Sequence, residues 1–283
     1  MAINWYPGHM KKTNEMIRDN LKLVDIVVEV IDARIPLSSR NPMIDQLIGN
    51  KYHVILMNKS DLADPIITEQ WVKYFNGKNK KSIPYVATNY SPSQFMSLLK
   101  DVSKEVMEKY KKKGFVSKRV RAMIVGIPNS GKSTFINNVA KKKSTVTGNK
   151  PGVTKGKQWI KIKDGIDLLD TPGILWPKIE SDDQGYRLAA TGAIRDDILN
   201  KNDIVQYILS FMKQKYPKQL EETYEIQPSW SIDEMIEHVG LKNGCLSKGN
   251  QLDEERTIRM ILDDFRKGKI GRITMEKPTN ADN

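Results

Sequence analysis

The chain has 283 residues and a formal net charge of +12, and 39% of its residues are hydrophobic. This length suits one medium domain and a second, smaller one. No run approaches the roughly 20 apolar residues that a membrane span needs, and the N-terminus lacks the basic start and apolar core of a signal peptide. The single cysteine, Cys245, excludes an intramolecular disulfide and is expected to be a buried thiol. A cytoplasmic protein without a membrane partner is therefore expected.

The positive charge lies in the first part of the chain. Residues 1–180 contain 31 Lys and Arg against 16 Asp and Glu, whereas residues 181–283 contain 15 against 18. An excess of this size attracts polyanions, of which RNA is the commonest in a cytoplasm. Solubility alone is the alternative explanation.

Apolar strands alternate with helices in the first part. Strands are predicted at 24–31, 52–57, 83–86 and 120–125, with helices at 10–22, 42–48, 71–75, 92–112 and 133–139 between or beside them. Residues 159–162 and 166–169 could form a hairpin around Asp164-Gly165. Alternation of this kind predicts a parallel sheet.

The pattern after Gly173 is helical only. Helices are predicted at about 184–192, 202–215, 218–225, 231–239 and 253–268, and the tail from Met275 is expected to be disordered. We therefore predict two domains, residues 1–180 and residues 181–283.

A phosphate-binding loop is the clearest motif. Residues 126–133 read Gly-Ile-Pro-Asn-Ser-Gly-Lys-Ser, which fits the Gly-x4-Gly-Lys-Ser pattern between a predicted strand and a predicted helix. In such a loop the backbone NH groups cradle phosphate oxygens, the lysine contacts the β- and γ-phosphates, and the serine hydroxyl ligates Mg²⁺. The predicted phosphate-binding residues, with Lys132 also catalytic, are Asn129, Ser130, Gly131, Lys132, Ser133 and Thr134.

The tetrapeptide Asn-Lys-Ser-Asp after the second predicted strand indicates which base is bound. The Asp61 carboxylate can accept two parallel hydrogen bonds from the ring NH and the exocyclic amine of guanine, whereas adenine has no such donor pair. Asn58 is expected at the purine edge and Lys59 along the base and sugar. Ala87 and Thr88 could offer NH groups to the guanine carbonyl oxygen, with a plain loop as the alternative.

The third motif, Asp170-Thr-Pro-Gly173, predicts a metal ligand and a phosphate sensor. Asp170 is expected to hold Mg²⁺, and the Gly173 NH to contact the γ-phosphate. Thr154 has the spacing of a first-switch threonine that closes on the metal when GTP is bound. The predicted magnesium ligands are therefore Ser133, Thr154 and Asp170.

Two departures from Ras-like enzymes concern the hydrolysis rate. Ile174 stands where those enzymes have a water-orienting Gln, which predicts slow intrinsic hydrolysis. Asn129 has a carbonyl-bearing side chain beside the phosphates and could bind K⁺. His9 could orient or activate the attacking water if the N-terminal segment folds back, or could merely cap the first helix.

The order of the three motifs is itself informative. A usual GTPase has the phosphate loop first and the guanine motif near its end, whereas here the guanine motif comes first and Asp170 follows both. This rotation predicts an α/β fold in which a circularly permuted P-loop GTPase domain precedes a smaller all-α domain. The sheet is expected to be mostly parallel, with helices on both faces.

Seven motifs in about the first 195 residues point to one family. They are Trp5-Tyr-Pro-Gly-His-Met, Asp32-Ala-Arg-Ile-Pro, Asn58-Lys-Ser-Asp, Gly126-Ile-Pro-Asn-Ser-Gly-Lys-Ser, Pro151-Gly-Val-Thr, Asp170-Thr-Pro-Gly-Ile and Thr191-Gly-Ala-Ile. Together they resemble the ribosome biogenesis GTPase A family of bacterial circularly permuted GTPases. The resemblance implies a GTPase that binds the immature large ribosomal subunit, promotes a late maturation step and is released on hydrolysis that the subunit stimulates. It also implies the hydrophobic residue at Ile174 and a helical domain similar to RNA-binding ANTAR modules.

Three basic runs support an RNA partner independently of the resemblance. Two other hypotheses stay open: a binding module in which GTP orders an RNA-binding surface, and a permuted GTPase of tRNA modification or signalling. The runs are Lys111 to Lys113 with Lys118, Arg119 and Arg121; the loop Lys141 to Lys163; and the last helix with Arg256, Arg259, Arg266, Lys267, Lys269 and Arg272.

Overall fold

The computed structural model describes residues 15, 17–88, 92–115, 118–140, 158–162, 165–171, 179, 181–196 and 198–278. Its strands are β1 (Ile26–Asp32), β2 (Tyr52–Asn58), β3 (Lys80–Pro84), β4 (Val120–Val125), β5 (Gln158–Lys161) and β6 (Ile166–Asp170). Its helices are α1 (Ile44–Ile48), α2 (Pro65–Phe75), α3 (Pro92–Lys112), α4 (Lys132–Ala140), α5 (Asp182–Ala190), α6 (Lys201–Lys215), α7 (Pro217–Tyr224), α8 (Ile232–Lys242) and α9 (Glu254–Lys267). Residues 17–21 are also helical. Among the described residues, no helix is both long and apolar enough to cross a bilayer.

The strands form one six-stranded sheet in the order β3-β2-β1-β4-β6-β5. Every pairing is parallel except that of β5 with β6, which confirms the predicted hairpin. β1 and β2 are buried at every position, as expected of central strands covered on both faces. β3 begins at Lys80, three residues before the prediction, because an edge strand tolerates exposed lysines that conceal its pattern.

Helices cover both faces of the sheet, as predicted. One face packs against α3 and α4 through a cluster that includes Val28, Phe95 and Phe135. The other face packs against α2 and, beside it, against α5 to α9, with Ile31 and Trp71 in the same core cluster. Strand alternation divides the two sets, since Val28 and Ile31 point in opposite directions.

The helical region after residue 180 shares a hydrophobic core with the sheet. Ile55 of β2, Leu188 of α5 and Ile208 of α6 belong to one buried cluster. Cys245 is buried at 2% exposure within this region, as predicted. The division into two domains at residue 180 stays a prediction, because the packing across that boundary is continuous.

The chain after α9 does not project into solvent. Gly268 ends α9 in the left-handed conformation, and residues 268–276, the C-terminal segment, return to the sheet. Met275 is 2% exposed and its NH donates to the Arg34 carbonyl at 2.7 Å, while Trp71 Nε1 donates to the Glu276 carbonyl at 3.0 Å. The predicted disorder from Met275 is therefore wrong for residues 275–278, since this segment buries apolar side chains; residues 279–283 lie outside the described residues.

Candidate functional site

The predicted site residues follow the carboxyl ends of neighbouring strands. β1, β2 and β4 are parallel neighbours, so the loops after Asp32, Asn58 and Val125 leave the sheet at one edge. The chain runs to one side of β1 through β2 and β3 and to the other through β4 and β6. Ligands of open α/β sheets bind in the crevice at such a reversal of strand order.

The phosphate loop requires glycine at two positions. Gly126 has φ +155°, and a Cβ there would lie 2.4 Å from the Val30 carbonyl oxygen of β1. Gly131 has φ +96°, and a Cβ there would lie 2.1 Å from Asn58 Nδ2. The loop therefore lies directly against β1 and the guanine motif, at contacts that only glycine permits.

Lys132, the first residue of α4, is buried beneath the loop. Its Nζ donates to the carbonyl oxygens of Gly126 at 2.9 Å and Ile127 at 2.7 Å. Burial lowers the pKa of Lys132 to about 8, an effect that the charge of Asp170 partly offsets. The ammonium group is thus held under the loop that would receive phosphates.

Asp170 ends β6 and is 1% exposed, yet neither of its carboxylate oxygens has a side-chain hydrogen-bond partner among the described residues. Burial raises its pKa to about 6, against the opposing effects of Lys132 and the Thr171 backbone NH. A buried carboxyl group without a partner is costly, and the usual compensation is a cation. Asp170 is therefore a candidate ligand for a metal ion.

Asn58 joins the guanine motif to the phosphate loop. Its Nδ2 donates to the Ser130 carbonyl at 2.7 Å, and its Oδ1 accepts from the Ala87 NH at 3.0 Å. Both groups that were predicted to contact the base therefore have protein partners in this structure. The Asn58 amide bonds to backbone rather than pointing freely at a purine edge, and the Ala87 NH is already used. The physical reason is that three loops converge here, and a buried backbone group takes the nearest partner.

Asp32 and Arg34 support the guanine motif and were not predicted as site residues. Arg34 donates to the Asp32 carboxylate from Nε at 3.0 Å and Nη2 at 2.8 Å, and Lys59 Nζ donates to it at 2.9 Å. Burial alone would raise the pKa of Asp32, but these two cations hold it below its ordinary value. The available signal was the motif Asp32-Ala-Arg-Ile-Pro, which directly follows the strand predicted at 24–31.

A cleft of about 1060 Å³ lies beside these loops. One wall consists of predicted nucleotide-binding residues, including the exposed side chains of Asp61 and Thr88. The opposite wall belongs to the helical region, at the Thr191-Gly192 turn and the end of α9. The two walls are linked, because Asn129 Nδ2 donates to the Gly192 carbonyl at 2.7 Å. The helical region thus forms part of the candidate site.

Ser133 and Thr134 lie in the first turn of α4, beside Lys132. Three other predicted site residues fall outside the described residues: His9, Thr154 and Gly173. Ile174, on which the expectation of slow hydrolysis depends, lies outside them as well. Their predicted roles stay predictions.

The basic residues divide into two groups. Lys111, Lys112 and Lys113 are exposed at the end of α3 and beyond it. Other cations that were predicted to neutralise phosphates have partners within the protein, as Arg266 and Arg272 illustrate. Arg266 bonds Asp196 at 2.6 Å and the Ala189 carbonyl at 2.8 Å, while Arg272 bonds two backbone carbonyls. Sequence pattern cannot separate these cases, because the partners come from distant parts of the chain.

Comparison with known proteins agrees with this geometry. The family model described as a 50S ribosome-binding GTPase matches residues 121–237, beginning in the strand that leads into the phosphate loop. Ribosome biogenesis GTPase A of Priestia megaterium is 45% identical over 100% of this chain and 99% of its own length. Its counterpart from Thermotoga maritima is 34% identical over 98% of this chain and 95% of its own length.

Solved structures give the same result. The GDP-bound structure of TM YlqF matches with a TM-score of 0.68 and 29% identity, over 94% of this chain and 100% of the other. The GNP-bound YlqF from T. maritima matches with a TM-score of 0.68 and 30% identity, over 95% of this chain and 99% of the other. The motif order, the sheet and these full-length similarities establish that the chain belongs to the ribosome biogenesis GTPase A family of circularly permuted GTP hydrolases.

Proposed function

We propose that this GTPase binds its nucleotide in the cleft between the guanine motif and the helical region. The observation that carries the assignment is the hydrogen bond from Asn58 to the Ser130 carbonyl, which joins the guanine motif to the phosphate loop across 72 residues of sequence. A base held at Asp61 would then have its phosphates directed along residues 126–134. The exposed Asp61 side chain suits a base that offers two parallel donors.

Mg²⁺ is the proposed metal, held by Ser133 and Asp170 and, once GTP is bound, by Thr154. The described residues contain no group of three or more His, Cys, Asp or Glu side chains that could hold a metal. That composition suits Mg²⁺, which binds through one or two carboxylates together with water and substrate phosphates. The buried, unpartnered carboxylate of Asp170 fits this role. When bound, the ion would neutralise charge on the β- and γ-phosphates.

Lys132 and the loop NH groups would stabilise the charge that develops as water attacks the γ-phosphate in line. In this structure Lys132 Nζ donates to the Gly126 and Ile127 carbonyl oxygens. The charged oxygens of a phosphate would be stronger acceptors for the same ammonium group. Gly173 would contact the γ-phosphate and His9 would orient the water, since Ile174 cannot. K⁺ at Asn129 is a further proposal. Turnover in K⁺ and in Na⁺, compared between the wild type and Asn129→Ala, tests it: equal rates in the wild type would exclude the ion.

The proposed partner is the immature large ribosomal subunit, in the cytoplasm, with hydrolysis driving release. The printed names of the relatives and of the family model support it, as do the exposed lysines at the end of α3. A GTP-gated RNA-binding module is the alternative. Turnover with and without large-subunit precursors separates the two, because release driven by hydrolysis requires that the particle stimulate hydrolysis. Stimulation by free tRNA instead would favour a role in tRNA modification.

Base recognition has a direct test. Asp61→Asn replaces a carboxylate that accepts two bonds with an amide that matches xanthine, so we expect its preference to change from GDP to XDP by at least about 100-fold. Calorimetric titration of both nucleotides measures the change. Unaltered GDP preference would remove Asp61 from the site. His9→Ala tests catalysis separately, and undiminished stimulated turnover with normal nucleotide affinity would show that His9 is not required.

A further inference from the structure

The C-terminal segment, residues 268–276, contacts the loop that carries Asp61. Arg272 donates from Nη2 to the Ser60 carbonyl at 2.9 Å and from Nε to the Ala63 carbonyl at 3.0 Å. The next residue, Ile273, donates its backbone NH to the Leu62 carbonyl at 2.9 Å. The C-terminal segment, more than 200 residues away in sequence, therefore holds one backbone carbonyl before Asp61 and two after it.

The segment is itself firmly held, so it can act as a support. Ile270, Ile273 and Met275 are each at most 2% exposed. The Tyr216 hydroxyl donates to the Thr274 carbonyl at 3.1 Å and accepts from the Thr274 NH at 3.2 Å. Thr274 Oγ1 in turn accepts from the Asp64 NH at 3.0 Å, which fixes the far end of the same loop.

The loop is held from its other side by the sheet. The Ser60 NH and Oγ both donate to the Tyr85 carbonyl, at 3.2 and 3.0 Å. Lys59 is held by Asp32, and Asn58 by the phosphate loop. Asp61 thus lies in a short loop that is hydrogen-bonded to the sheet on one side and to the C-terminal segment on the other. Without the second support, the backbone carbonyls of Ser60 and Leu62, on either side of Asp61, would lose these hydrogen bonds.

We propose that the C-terminal segment is a positioning element for guanine recognition, and that Arg272 is a specificity-determining residue because it holds the backbone on both sides of Asp61. A carboxylate that accepts two parallel bonds must keep its plane and direction, which the backbone of its own loop sets. The planar fork of arginine suits this contact, because it presents two N–H donors at a fixed separation. The proposal rests on the assignment of Asp61 as the guanine-binding residue.

Hypoxanthine nucleotides isolate this effect. Inosine lacks the exocyclic amine, so IDP offers Asp61 one donor where GDP offers two. A displaced carboxylate therefore weakens the binding of GDP more than that of IDP, and the dissociation constant of IDP divided by that of GDP falls. General destabilisation would weaken both nucleotides alike and leave the ratio unchanged.

The experiment compares full-length wild type, Arg272→Ala, Arg272→Lys and the control Lys215→Ala, an exposed lysine of α6. Dissociation constants for GDP and IDP are measured by calorimetry below each variant's melting temperature. We expect the GDP preference over IDP to fall about fivefold in Arg272→Ala and to stay at the wild-type value in Lys215→Ala. Arg272→Lys should also lose preference, since lysine lacks the rigid pair of N–H donors, Nε and Nη2, that hold the two carbonyls at a fixed separation.

If either Arg272 variant keeps the wild-type preference for GDP over IDP, the proposal is wrong, even if the affinities for both nucleotides fall. Should Arg272→Ala fail to fold, Arg272→Lys decides alone. Asp61→Asn separates this outcome from failure of the site itself. If Asp61→Asn acquires XDP preference while the Arg272 variants keep the wild-type ratio, only the positioning role is wrong. If Asp61→Asn keeps its GDP preference, the guanine assignment is wrong and the positioning role with it.

Discussion

Glu276 offers a sharp test of how the C-terminal segment is held. Its carboxylate is 7% exposed and accepts from the Leu37 NH at 2.6 Å and the Ser38 NH at 3.1 Å, as well as from the Ser38 hydroxyl. Arg187 Nη1 donates to it at 3.2 Å. The change Glu276→Ala removes one acceptor from four donors at once.

The expected cost follows from those donors. A buried donor that loses its acceptor costs roughly 1–3 kcal/mol, less where water enters. The two backbone NH groups lose the carboxylate that accepts from them, while Arg187 keeps its bond to the Tyr207 hydroxyl at 3.1 Å. We therefore expect Glu276→Ala to lower the free energy of unfolding by about 3 kcal/mol. Glu276→Gln keeps an acceptor oxygen and should lose about half as much.

Urea unfolding followed by circular dichroism measures the effect, with Lys277→Ala as the matched control. Lys277 is the exposed neighbour, so its loss should change stability by less than about 0.5 kcal/mol. A Glu276→Ala protein within about 1 kcal/mol of the wild type would refute the reasoning. It would mean that the segment is not packed as described and that the expectation of a disordered tail was sound.

Three further predictions concern the loops. Gly131→Ala would place a Cβ 2.1 Å from Asn58 Nδ2, so we expect its affinity for GDP to fall at least about 100-fold. Gly77→Ala is the control, because the space around Gly77 is open, and it should bind GDP normally in the same titration. Asp32→Asn should lower stability by about 2 kcal/mol at pH 7. The pKa of Asp32 is lower in the folded protein than in the unfolded chain, so the stability that its carboxylate contributes is complete above the unfolded pKa and is lost as the pH falls below about 4. Unfolding measured at a series of pH values should therefore show the stability difference between wild type and Asp32→Asn narrowing toward acid. A difference that stays constant with pH would contradict this prediction. Asn129→Ala removes the bond between the phosphate loop and the helical region, and its melting transition should show a loss of about 1 kcal/mol.

The sequence allowed much of the fold to be predicted because its signals are local. β4 and α3 were predicted at their observed bounds. β4 is an apolar run before a glycine-rich loop and α3 is a long amphipathic run, and each pattern can be recognised without any other part of the chain. The helices after residue 180 were placed within a few residues for the same reason. The hairpin of β5 and β6 followed from one Asp-Gly pair.

Several missed features depend on partners far away in the chain. The sequence does not distinguish Arg266 and Arg272 from the cations around them, because their partners, Asp196 and the backbone of the guanine motif, are distant in sequence. The segment ending at Glu276 has too few apolar residues to predict burial, yet α2 and the loop after β1 supply its partners.

Local patterns were enough to predict the chemistry: a phosphate loop, a guanine motif and a candidate metal-binding carboxylate. Each is a short run whose spacing is its signal, and their order predicts a permuted fold. What holds those runs in place is visible in the tertiary structure alone. There Asn58 bonds the phosphate loop, the helical region forms a wall of the candidate site, and the C-terminal segment contacts the loop that carries Asp61. These contacts join residues from about 70 to more than 200 positions apart, and buried polar groups choose partners by proximity in space, which no local pattern records.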